Sequence, residues 1–107
     1  MDTQRKKGVL DACVLAALSR GPSYGYELIG TVSRCVPISE STLYPILKRL
    51  EAGGCLTTYK EEYNGRIRKY YRLTDAGRKR IRDFLEEWEE IERIYNFVHT
   101  MSQEESQ

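Results

Sequence analysis

Residues Leu56–Leu73 read LTTYKEEYNGRIRKYYRL. Two eight-residue runs, the first rich in Thr and Tyr and the second in Arg and Tyr, flank Asn64-Gly65, a pair in which both positions tolerate positive φ. That chemistry predicts a β-hairpin with a two-residue turn. On its second strand Arg66, Arg68, Tyr70 and Arg72 share one face, and Ile67, Lys69, Tyr71 and Leu73 share the other. Three arginines on one face do not make a core. They suit phosphates or a minor groove beside the turn, or else a strand edge charged against edge-to-edge pairing. Glu61 and Glu62 on the first strand are candidate partners for the arginines.

Upstream of the hairpin the period is helical. Val9, Leu10, Cys13, Val14, Ala17 and Leu18 predict a helix over 8–20, stopped by Gly21-Pro22-Ser23. Ser23 is expected to cap a second helix running from Tyr24 to about Val32. After the break at Pro37-Ile38, Ser39 or Ser41 caps a third helix that reaches Ala52. Its apolar face is Leu43, Ile46, Leu47 and Leu50, and Gly53-Gly54 ends it with a left-handed residue. Downstream, Thr74-Asp75 opens one long helix from about Ala76 to Met101, and residues 102–107 are expected to fray. Helix, helix, helix, hairpin and long helix is the order of a winged helix-turn-helix. The expected fold is therefore mainly α with a small β-hairpin. Residues 1–73 make the winged-helix unit and 74–101 a C-terminal dimerisation helix.

With 107 residues the chain is most simply one domain. It has no apolar run long enough for a transmembrane helix and no signal-peptide core, so a cytoplasmic location without membrane contact is expected. Cys13, Cys35 and Cys55 are odd in number and lack CxxC spacing, which argues against a disulfide framework or a cysteine zinc site. Cys13 falls in an apolar run and is assigned to the core, whereas Cys35 and Cys55, at element ends, are candidates for a thiol switch. His99 stands alone, and no nucleophile–base pair, acid pair or phosphate loop is present. No cofactor, metal site or enzymatic activity is expected. Charge is informative in another way. Residues 1–82 hold 16 of the 17 basic and 8 of the 16 acidic residues, a net of +8, while 83–107 carry −7. A basic body suits a polyanion.

The third helix has the second face that DNA recognition needs. Ser41, Pro45, Lys48 and Ala52 lie opposite the leucine face, with Thr42, Tyr44 and Arg49 on the flanks. Short hydroxyls and cations there can reach bases or phosphates. Pro45 breaks the helix rules, as residues at functional sites often do.

Tyr44-Pro45-Ile46-Leu47-Lys48-Arg49-Leu50-Glu51, followed by Gly54, resembles the signature helix of PadR-like transcriptional regulators. So do Tyr24-Gly25-Tyr26-Glu27-Leu28 upstream and Arg68-Lys69-Tyr70-Tyr71-Arg72-Leu73-Thr74 with Gly77 downstream, in the family's order. The resemblance, covering roughly residues 8–77, implies a dimeric winged-helix repressor of double-stranded operator DNA. The single long helix makes the chain similar to the short-tailed branch that includes multidrug-responsive repressors. The candidate DNA contacts are Tyr24, Ser39, Ser41, Thr42, Tyr44, Lys48 and Arg49, with Asn64, Gly65, Arg66, Arg68 and Lys69 on the wing. A winged-helix module that binds an acidic protein partner instead of DNA, and a thiol-responsive regulator, are the competing readings.

Ile81, Phe84, Trp88, Ile91, Tyr95 and Val98 recur at spacings of 3, 4, 3, 4 and 3, a heptad seam widened by Leu85 and Ile94. A second copy is its natural cover, giving a homodimer. Arg78, Lys79, Arg80 and Arg82 precede the glutamates, against the helix dipole, so an antiparallel partner would compensate. Arg82/Glu86 and Glu89/Arg93 are candidate pairs within the helix. Trp88, the only tryptophan, reads on its spacing as a packed dimer anchor. The resemblance implies another role, a pore in which paired tryptophans stack planar aromatic effectors. In this chain it would use Asp11, Ala12, Leu15, Ile81, Leu85, Trp88 and Glu92.

Overall fold

Leu43, Ile46, Leu47 and Leu50 are all buried, and the rest of the molecule is arranged around them. The computed structural model describes residues 3–105, with side chains from Gly8 to Glu104. Its elements are α1 (Thr3–Ala17), β1 (Ser23–Tyr24), α2 (Gly25–Ser33), α3 (Glu40–Ala52), β2 (Leu56–Tyr63), β3 (Arg66–Leu73) and α4 (Asp75–Glu105). The core joins the α3 face to Val14 and Leu15 of α1, Leu18 just past its end, Leu28 and Val32 of α2, and Leu56, Tyr71 and Leu73 of the sheet.

The hairpin forms as its sequence predicts, with Asn64 at φ 50° and Gly65 at φ 77°. Pairing runs from Leu56↔Leu73 to Tyr63↔Arg66, which buries Tyr71 and Leu73 and turns the arginine face outward. The end of α3 is equally local. Gly54 adopts φ 78°, while the Cys55 N–H bonds to the Leu50 carbonyl and the Gly54 N–H to that of Glu51, the double bond of a Schellman stop.

Three expectations are corrected. First, α1 ends at Ala17 rather than residue 20: the Ser19 hydroxyl donates to the Ala16 carbonyl at 2.6 Å, and the chain turns through Gly21. Second, Ser23 is not a helix cap. It is buried in β1, which pairs with β3 through Ser23↔Tyr71 and Tyr24↔Tyr70, so the hairpin becomes a three-stranded sheet of order β1-β3-β2. The free edge of β3 recruits Ser23 into extended backbone, and its hydroxyl donates instead to the Glu27 carboxylate at 2.5 Å. Tyr24 takes the N-cap position of α2. Third, α4 continues beyond Met101 to Glu105; no helix breaker follows Met101, and residues 106–107 lie outside the described residues.

Thr74 makes the α4 cap, accepting the Gly77 N–H at 3.1 Å while donating to the Gly54 carbonyl at 2.7 Å. Its hydroxyl therefore joins the stop of α3 to the start of α4. The helix has 31 residues and is about 46 Å long at 1.5 Å per residue. Only its first half lies against the domain. Ile81, Phe84, Trp88 and Ile91 are half-buried, but Tyr95 and Val98 are 63% and 58% exposed. Leu85, Ile94, Phe97 and Met101 are bare as well.

Candidate nucleic-acid interface

The outer face of α3 is open. Ser39, Ser41, Thr42, Pro45 and Lys48 are exposed, and Lys48 makes no hydrogen bond or ion pair among the described residues. Ser39 is the N-cap, but its hydroxyl bonds to those of Ser41 (2.9 Å) and Thr42 (3.4 Å) rather than capping a backbone N–H. The three hydroxyls thus form a patch at the entrance to the helix. Pro45 has no N–H to give the Ser41 carbonyl, which leaves a second acceptor on the same exposed face.

Tyr44 connects this face to the wing. Its ring lies directly against Gly25, where a side chain would collide with it. Next to Gly25, Tyr24 stacks edge-on to Tyr70 with centroids 5.6 Å apart. The Arg68 guanidinium is held between two rings, 4.3 Å from Tyr24 and 4.1 Å from Tyr63. A hydrogen bond to Tyr70 is the first cause raising the Arg68 pKa further. Arg72 sits 4.7 Å over Tyr59, which stacks on Tyr70, and Lys69 lies 5.5 Å from the Tyr71 ring. Burial, followed by Tyr44 and Glu51, raises the Tyr71 pKa and keeps that hydroxyl neutral. Arg66 flanks the exposed Asn64-Gly65 tip without an ion pair or ring contact among the described residues. Glu61 and Glu62 make no ion pair with the arginines among the described residues, so the wing keeps its positive charge. Tyr59 and Tyr63 were not picked out from sequence; only the strand register shows that they share the arginine face.

Arg49 is placed differently from the rest of the set. It turns to the side of α3 and donates to Asp11 at 2.5 Å, while Arg80 of α4 reaches the other oxygen of the same carboxylate at 3.4 Å. Asp11 is 5% exposed, so one buried acid holds three helices in register.

A family model described as "Transcriptional regulator PadR-like family" matches residues 14–83. The chain belongs to the PadR-like family of transcriptional regulators. It is accordingly a regulator rather than an enzyme. This PadR-like chain is 32% identical over 93 residues to an uncharacterized protein of Lysinibacillus sphaericus, covering 82% of this chain and 85% of that one. A Streptococcus mutans protein of known crystal structure is 44% identical, with a TM-score of 0.73 over 80% of this chain and 81% of that one. Bacillus subtilis PadR, solved with operator DNA, is 28% identical, with a TM-score of 0.65 over 72% of this chain. The match spans only 46% of that longer protein.

Among the described residues, the seven implied effector residues fall in different surroundings. Trp88 lines an apolar groove of about 520 Å³ with Val9, Leu10, Cys13, Cys35, Val36 and Phe84. Phe84 is its ring neighbour at 5.8 Å. Leu15 is in the core, Ile81 packs on it, Ala12 is half-buried, and Leu85 and Glu92 face outward. Within α4, Glu89 pairs with Arg93 at 3.8 Å as expected. Among the described residues the other pair is Lys79–Asp83 at 2.9 Å, and Arg82/Glu86 is not paired. Among the described residues, no helix is long and apolar enough to cross a membrane and no His/Cys/Asp/Glu cluster is suited to a metal ion.

Proposed function

We propose that this chain is a homodimeric, effector-responsive repressor that binds operator DNA in the cytoplasm, with α3 in the major groove and the wing on the flanking backbone. The contact chain from Tyr44 through Gly25 and Tyr24 to Arg68 carries this reading. It connects the hydroxyl patch and Lys48 of α3 to the arginine face of β3 through side chains in contact, so that one duplex can meet both. That Bacillus subtilis PadR was solved on operator DNA supports the same use of the fold.

Residues 1–73 do the reading and α4 does the pairing. A second copy covers the bare Tyr95 and Val98 stretch, and the two-fold axis places α3 and its mate on half-sites about 34 Å apart, or a multiple of that. The effector is a planar aromatic stacked between the two Trp88 rings. Asp11 is already matched by two guanidiniums, so any preference for a cation falls to the exposed Glu92. Such a ligand acts only through its differential affinity for the free and DNA-bound arrangements.

Selection of duplexes from random DNA by the purified chain tests the reading. Enrichment of a pseudo-palindrome at moderate salt is expected. Recovery of no motif would turn the basic surface over to an acidic protein partner.

A further inference from the structure

The sequence pattern separates Cys13, as core, from Cys35 and Cys55, as accessible ends. The fold regroups them. Cys55 is buried where α3 stops, 3.9 Å from an Arg80 nitrogen. Cys13 on α1 is half-buried and Cys35, just past α2, is exposed. These two face each other. One groove, of about 680 Å³, runs past the α1–α2 turn beside Arg20 and Arg34, and the apolar groove of about 520 Å³ ends at Phe84 and Trp88. Both cysteines line both grooves, so the two residues lie side by side at the partition between them. Burial first, and then the adjacent Cys35 thiol, push the Cys13 pKa up. Cys13 therefore stays protonated, and Cys35 is the sulfur that solvent reaches.

We propose that Cys13 and Cys35 are a redox pair, which a hydroperoxide converts into an intrachain disulfide across this partition. The Cys35 thiol gives its proton to solvent and its sulfur attacks a peroxide oxygen; the O–O bond breaks, Cys35 becomes a sulfenic acid, and the alkoxide or hydroxide that leaves takes a proton back from solvent to become alcohol or water. The Cys13 sulfur then attacks the Cys35 sulfur. The S–S bond forms, the S–O bond breaks, and the departing oxygen leaves as water with the Cys13 proton. In sum two thiols lose two electrons and two protons, and the hydroperoxide is reduced. The bond would fasten α1, two residues from Asp11, to the segment leading from Cys35 to the Ser39 N-cap of α3. Trp88 lies in the same groove as both sulfurs, so its fluorescence should report the change.

The test uses the full chain, treated with hydrogen peroxide and then alkylated in denaturant. The expected product has a mass about 2 Da lower before alkylation, as loss of two hydrogens requires. Of the three free thiols, Cys55 alone should remain alkylatable, with a Cys13–Cys35 cross-linked peptide, quenched Trp88 emission and full reversal by dithiothreitol. Cys55→Ser should behave like the wild type, whereas Cys35→Ser and Cys13→Ser should each abolish the cross-link. The wild-type thiol count decides the matter even if a variant folds poorly, and it does not depend on DNA binding. Three alkylatable thiols after peroxide would overturn the proposal, and so would disulfide-linked dimers or a cross-link that includes Cys55.

Discussion

Arg49 on α3 donates a 2.5 Å hydrogen bond to the carboxylate of Asp11 on α1. The acid is buried and the guanidinium is about half exposed, so the pair lies between a surface ion pair and an interior one. Arg80 shares the same carboxylate, and the orientation of α3 is therefore tied to the root of α4. Any displacement of α4 has a polar route to α3 alongside the apolar one through the core.

Asp11→Ala removes both hydrogen bonds to charged groups. Because Arg49 and Arg80 can turn to water, the loss should be about 2 kcal/mol rather than that of a sealed pair. Urea unfolding checks this: the midpoint should fall while the slope stays constant. An unchanged midpoint would mean that the triad contributes nothing.

Lys48→Ala and Arg66→Ala should fail in different ways. Lys48, on the open face of α3, should cost about 1–3 kcal/mol on the selected operator and relax its sequence preference. Arg66, at the wing tip, should weaken all duplexes alike and lower the salt slope by about 0.9. Titrations at several salt concentrations separate the two. Equal losses on operator and random DNA for Lys48→Ala would remove it from base reading.

Val98→Glu addresses assembly without disturbing the domain core, since Val98 is 58% exposed in the single chain. A carboxylate opposite the partner's apolar stripe typically costs several kcal/mol. Sedimentation should show monomer with unchanged helical content and lost operator binding. A variant that stays dimeric would place the interface elsewhere.

Trp88→Ala should abolish saturable fluorescence quenching by a planar cationic dye while leaving the dimer and its operator affinity largely intact. The packed-anchor role predicts the reverse, with no quenching in the wild type and a mutant that dissociates. Dye titration together with sedimentation of both proteins distinguishes them.

Gly25→Ala should destabilise the fold by about 1–3 kcal/mol, because the added methyl meets the Tyr44 ring. Tyr44→Ala should recover part of that loss in the double mutant, and thermal melts of the four proteins give the coupling. Additive losses would show that the two residues do not press on each other.

The hairpin, its turn and its ends were legible in the sequence, and so were the buried face of α3 and its Gly54 stop. Each depends on periodicity or turn chemistry within a few residues, where backbone sterics and local hydrogen bonds settle the outcome. The open face of α3 and the outward arginines followed from the same periods. Tertiary packing alone decided that Ser23 joins the sheet, that Arg49 turns to Asp11, that Tyr24 lies against Arg68, and that Cys13 and Cys35 line the same groove. These partners are far apart along the chain (Arg49 and Asp11 are separated by 38 positions), and no period relates them. What joins them is the shape of the shared core, which brings α1 beneath both α3 and α4 and only then selects which polar groups meet.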